Sequence, residues 1–167
     1  YFFPWNDDDL NIFQHINKIW RLTKTISGYY ADAFEKNLPE DGIIDRIQVV
    51  KYPLGLGGVE LHQDPILYQK YFISCYMSTK GLDFDDGGVY CIDAKKNKDF
   101  AIEEHALPGD VSFGLATIMH GVDKPSKPKE LNDTDEMYHG RWWLGLYSMN
   151  SDYVIKRNTS SPASLKS

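Results

Sequence analysis

His62-Gln-Asp64, with a second histidine far downstream at His120, is the part of this chain whose residue types and spacing can do chemistry. Side chains at i and i+2 on extended backbone point to the same side. One imidazole and one carboxylate then face a common point, and a distant histidine can complete the set. Two histidines and one carboxylate, with other positions open, bind non-haem Fe(II) and leave room for a cosubstrate and O₂. An HxD triplet alone arises often by chance, and its plain reading is a surface histidine beside a carboxylate. His120, flanked by Ile118 and Val122, has a plain reading as a core histidine. His139 is the competing distal ligand, while His15 and His105 read as solvated or structural.

The elements that must position these residues are mostly strands. Asp7-Asp-Asp9 can start a helix, because acidic side chains favour the first turn. Leu10, Phe13, Ile16, Ile19 and Trp20 then recur at helical spacing up to about Ser27-Gly28. A second helix is expected from Tyr29 to about Lys36. After the turn at Pro39–Gly42 the pattern becomes strand-like over Ile43–Tyr52, Val59–His62, Tyr71–Ser78, Val89–Asp93, Ala101–His105, Val111–Phe113, Ile118–Val122 and Arg141–Tyr147. Gly81–Gly88 and Asp123–Gly140 are long polar loops, expected to flank the mouth of any site, since long loops on a rigid scaffold commonly carry binding function. Helices followed by many short strands predict a sandwich or barrel backed by helices.

The ordered set is more specific than any of its parts. Val50-Lys-Tyr52, a glycine-rich turn, His62-Gln-Asp64, the strand Tyr71–Ser78, the Pro108-Gly-Asp110 turn, His120-Gly-Val122 and Arg141 opening an apolar strand together resemble the Fe(II)- and 2-oxoglutarate-dependent dioxygenases. Within them the pattern is similar to the prolyl-hydroxylase-like branch, and it covers roughly Ile43 to Tyr147. The resemblance implies a mainly β double-stranded β-helix (a jelly-roll or cupin-like barrel) with the N-terminal helices packed on one sheet. It implies that His62, Asp64 and His120 bind Fe(II), that Arg141 pairs with the far carboxylate of 2-oxoglutarate, and that Tyr52 lies beside this cosubstrate. Tyr76 is a candidate for the same carboxylate, with Ser74 or Ser78 as alternatives. Gly145, on the face of Arg141, would leave the cosubstrate room. The implied reaction is O₂-dependent hydroxylation with release of succinate and CO₂. The retained carboxylate Asp64 favours hydroxylation over halogenation. Arg141 lies much further from His120 than the family's basic residue usually does, so Ser126–Met137 reads as a loop insertion. Lys124 and Lys127 are the alternative anchors.

Composition narrows the partners. Twenty-four acidic against eighteen basic residues leave a net charge of −6, which lends no support to a nucleic-acid binder. No run is long and apolar enough to span a bilayer, and no signal-peptide pattern is present. A cytoplasmic protein acting on a small-molecule or peptidyl substrate is the expectation. The two cysteines, Cys75 and Cys91, predict buried free thiols rather than a disulfide framework. The 167 residues suffice for one domain, with 1–40 as helical support, 43–155 as the core and 157–167 as a flexible Ser/Thr-rich tail. The rival class is a cupin-like metal-binding protein or enzyme that does not use 2-oxoglutarate.

Overall fold

The structure is a computed structural model that describes residues 1–131 and 138–162. Helix α1, Ile12–Ile26, begins after the acidic run. The Asp8 carboxylate accepts the backbone N–H groups of Ile12 and Phe13 at 2.7 and 2.9 Å, satisfying two of the donors that a helix start leaves open. Its apolar stripe, which includes Phe13, Ile16, Ile19 and the fully buried Trp20, packs on Ile47, Ile73 and Leu146 of the first sheet. Beside this apolar contact, Lys24 of the helix is buried against Asp45, with the two charged atoms 2.5 Å apart. The second helix expected from Tyr29 does not form. Phe34 takes a left-handed φ of +67°, which no helix tolerates. Its ring meets Tyr29 and Tyr68 edge-on, so residues 31–36 are successive turns.

Nine strands follow among the described residues: β1 Ile43–Tyr52, β2 Val59–Gln63, β3 Tyr71–Tyr76, β4 Gly88–Ile92, β5 Lys98–Asp99, β6 Val111–Leu115, β7 His120–Asp123, β8 Arg141–Asn150 and β9 Ser161–Pro162. They form two antiparallel sheets. The first has the order β1-β8-β3-β6 and the second β5-β4-β7-β2-β9. The chain therefore passes back and forth between sheets, and pairing among the described residues stays within each one. The architecture is mainly β, as the strand pattern predicts, with one long helix on one sheet. Period-2 alternation explains the layering. On β1, Ile47 and Val49 face α1, whereas Arg46, Gln48 and Tyr52 face a cavity between the sheets. No helix among the described residues is long and apolar enough to cross a membrane.

One further expectation is corrected. Ala101–His105 is a short helix, α2 Ala101–Glu104, rather than a strand. The Asp99 carboxylate accepts the Ala101 N–H at 2.9 Å and turns the chain there. Within the stretch expected as a tail, β9 pairs with β2 in the register His62↔Pro162 and Gln63↔Ser161. Residues 163–167 of the expected tail lie outside the described residues.

Candidate metal centre

His62 and His120 are direct cross-strand partners on β2 and β7, so neighbouring antiparallel backbones bring two residues fifty-eight positions apart in sequence to the same point. Their ring centroids lie 4.4 Å apart. Asp64 follows β2 by one residue and is anchored by its N–H, which donates to the Ala116 carbonyl at 2.9 Å. One ligand atom from each of the three side chains lies within 4.8 Å of the others, and all three residues are half-buried. Gly121, next to His120, has a local reason to be glycine. A Cβ there would come within 2.5 Å of the Tyr90 hydroxyl and 2.8 Å of the Val59 carbonyl.

The hydrogen bonds determine which face of each ring is offered. His62 Nδ1 lies 2.7 Å from the Glu60 carbonyl and His120 Nδ1 2.8 Å from the Ile118 carbonyl. A carbonyl oxygen only accepts, so each Nδ1 carries a proton. In the neutral ring, Nε2 is then left as a lone pair. Those Nε2 atoms face the Asp64 carboxylate at 3.7 Å (His62) and 3.6 Å (His120), too far for a hydrogen bond. With both rings neutral, three acceptors converge on one point, and a cation between them would satisfy all three. Backbone carbonyls orienting ligating imidazoles are a common outer support of metal sites.

The cavity between the sheets has a volume of about 360 Å³, and it is lined by all three of these residues. Arg141 also lines it, on β8 directly opposite Tyr52 of β1. Arg141 is only 2% exposed. Its Nε donates to Glu103 Oε1 at 2.6 Å, and its buried Nη1 has no partner. The Tyr52 ring centroid lies 5.2 Å from the guanidinium carbon. Burial pushes the Tyr52 phenol above its ordinary range, opposed by Arg141. Tyr76 is buried nearby, but its hydroxyl shares a 2.8 Å hydrogen bond with Ser112, and burial pushes its phenol up to about 12. Ser74, on the same face of β3, lines the cavity instead. Ser78 is engaged elsewhere, donating to the Gly140 carbonyl and accepting the Trp142 N–H. The space over Gly145 is filled by Trp143 and Tyr147, whose rings a Cβ would meet at 2.3 and 2.8 Å, so it is not open room for a ligand.

Four participants were not legible as such. Glu103 of α2 is buried and accepts both the Arg141 Nε–H and the Val89 N–H. Asn158, Thr159 and Ser160 line the cavity, and the Ser160 hydroxyl donates to Asp64 Oδ1 at 3.0 Å. The two long loops, by contrast, pack on each other: the Asp85 and Ser126 N–H groups donate to the Ser126 and Asp86 carbonyls. None of their described residues lines the cavity. Lys124 and Lys127, the alternative anchors, are among those that do not. His139 lies 3.6 Å from Asp83 and belongs to that loop cluster, not to the convergent set. Cys75 and Cys91 are half-buried free thiols, both raised by burial. No protein-family model, curated protein or solved structure matches the chain.

Proposed function

We propose that the chain is an Fe(II)- and 2-oxoglutarate-dependent oxygenase that hydroxylates a small-molecule or peptidyl substrate on a double-stranded β-helix. The observation that carries this reading is the convergence of two Nε2 lone pairs and one carboxylate on a single point inside a cavity. Two imidazoles and one carboxylate leave coordination positions open, which suits Fe(II) with a bidentate cosubstrate and O₂. The strand orders β1-β8-β3-β6 and β5-β4-β7-β2 support the fold assignment, because the chain winds alternately through both sheets.

Such a metal, when bound with 2-oxoglutarate, supplies oxidative decarboxylation to succinate and CO₂ with transfer of oxygen to a substrate C–H bond. The work of the chain is to hold and orient. The Glu60 and Ile118 carbonyls keep the Nδ1 protons in place, so Nε2 stays available. Arg141 suits the far carboxylate of the cosubstrate, because the residue lines the cavity and its buried Nη1 has no partner. A guanidinium fork with one arm already anchored is pre-organised for such a partner. Tyr52 flanks this end. Ser74 is better situated than Tyr76 to add a hydroxyl, since Ser112 already engages Tyr76.

One observation favours the rival reading, a cupin-like metalloprotein without 2-oxoglutarate: Arg141 already has an anionic partner in Glu103. An anaerobic titration separates the two. Adding Fe(II) and then 2-oxoglutarate should produce a weak visible charge-transfer band that His120→Ala abolishes and His139→Ala retains. Iron binding without any response to 2-oxoglutarate would favour the rival. Loss of the band in His139→Ala alone would reassign the distal ligand.

A further inference from the structure

The cavity holds a second arginine that the reading above does not use. Arg46 lines the cavity from β1, and among the described residues Arg141 is the one other arginine or lysine that does so. The two occupy opposite ends. Arg46 pairs in register with Tyr147, and Arg141 with Tyr52, six residues further along β1. At about 3.3 Å per residue the two backbone positions are roughly 20 Å apart. The register therefore sets the two arginines well apart along the wall that β1 and β8 form. Arg46 and its partner Tyr147 line the same cavity as His62, Asp64 and His120.

Arg46 is a guanidinium without a counter-charge. Among the described residues no carboxylate forms an ion pair with it. Its one side-chain hydrogen bond is from Nη2 to the Gln48 amide oxygen at 2.9 Å. Its Nε is buried and has no partner. The guanidinium carbon lies 4.6 Å from the Tyr1 ring centroid and 5.5 Å from that of Tyr147, so the plane is held by aromatic rings. Burial lowers its pKa, against weaker opposing effects of Tyr1, Tyr147 and Asp152. Asp152 is itself paired with Arg157. A half-buried cation is stable in such a place when something else supplies the anion. Arg141 illustrates the contrast, because Glu103 meets its charge from within the chain.

We infer that Arg46 is a substrate-binding residue and that the substrate carries a carboxylate, which Arg46 grips at the end of the cavity opposite Arg141. A carboxylate matches the planar fork and the single positive charge. A phosphate dianion would be left half neutralised, since among the described residues no second lysine or arginine lines this end. As a statement about substrate, the inference rests on the oxygenase reading; as a statement about anion binding, it stands without it.

The test uses the intact protein and calorimetric titration with N-acetyl-leucine, its carboxamide and inorganic phosphate. The carboxylate should bind roughly tenfold or more tightly than the carboxamide, as expected for a charge-assisted hydrogen bond to a half-buried site. Arg46→Gln should bring that ratio to about one. Arg46→Lys keeps the charge and loses the fork, so its ratio should be intermediate, which gives a second variant if the first folds poorly. His120→Ala, tested without metal, should keep the wild-type ratio, so failure of the metal reading would leave this result untouched. The metal-loaded Arg46→Gln protein should bind 2-oxoglutarate as the wild type does. No preference for the carboxylate, a preference that survives Arg46→Gln, or phosphate binding more tightly than N-acetyl-leucine would each overturn the inference. So would loss of 2-oxoglutarate affinity in Arg46→Gln, which would make Arg46 the cosubstrate anchor.

Discussion

Glu103→Gln is the substitution that tests most directly whether Arg141 is held as the structure describes. Two N–H donors converge on one carboxylate: Arg141 Nε on Oε1 and Val89 N on Oε2, each at 2.6 Å. A carboxamide offers one oxygen and one NH₂. Whichever way it is turned, one of the two buried donors then faces another donor. An unsatisfied buried donor costs about 1–3 kcal/mol, and loss of the counter-charge to a guanidinium that is 2% exposed adds to it. We expect Glu103→Gln to destabilise the protein by roughly 3 kcal/mol, and Arg141→Met, which strands the buried carboxylate, by roughly 3–5 kcal/mol. The double variant removes both charges, so its cost should fall short of the sum by about 2 kcal/mol. Urea unfolding of the four proteins, with unchanged dependence on denaturant, measures this coupling. A coupling below about 0.5 kcal/mol, within the scatter of independent sites, would refute the buried pair. Glu103 would then not be what orients the Arg141 guanidinium.

Three other outcomes follow from the same geometry. Ser160→Ala removes the hydrogen bond to Asp64 Oδ1 and should weaken metal binding about tenfold, as loss of an outer-shell partner does; unchanged metal affinity in a competition titration would mean that this tail contact does not orient the ligand. Lys24→Met should cost roughly 3–5 kcal/mol at neutral pH, because it strands the Asp45 carboxylate, whose pKa burial already raises against the pull of Lys24. Protonation neutralises that stranded group, so the deficit in urea melts should shrink as pH falls from 7 toward about 4, and a pH-independent deficit would contradict it. The Tyr76 phenol, raised to about 12 in the fold against about 10 unfolded, contributes stability that is present below pH 10 and lost as pH rises through 12, so its ultraviolet ionisation signal should arrive with alkaline unfolding and not before.

What could be read from sequence and what could not divide along a physical line. His62 and Asp64 were legible because strand alternation makes i and i+2 neighbours, and Gly121 beside His120 marks a place where the Tyr90 hydroxyl and a backbone carbonyl approach. The helix Ile12–Ile26 was legible because a 3.6-residue apolar stripe needs only one partner surface. The second helix failed because Phe34 packs with Tyr29 and Tyr68, and tertiary contact of that kind outweighs a weak local propensity. Role is harder to read than position. Ala101–His105 reads as a strand rather than the short helix it forms, and no local pattern distinguishes the buried Glu103 from the exposed Glu104 beside it.

Glu103 becomes informative only through Gly88. That residue has φ +92°, and a Cβ there would stand 2.1 Å from Glu103 Oε2. The glycine lets the carboxylate reach the backbone of β4, and the carboxylate in turn holds the arginine that opens β8. The glycine, the glutamate and the arginine belong to three separate stretches of sequence and form one device only after both sheets are assembled. The same holds at the other end of the cavity. Arg46 on a strand reads as a solvated charge, until the sheet order puts its face inward and leaves it without an acidic partner. A cation's surroundings are a property of the fold, so the charges most telling about a ligand are the ones that sequence pattern is least able to pick out.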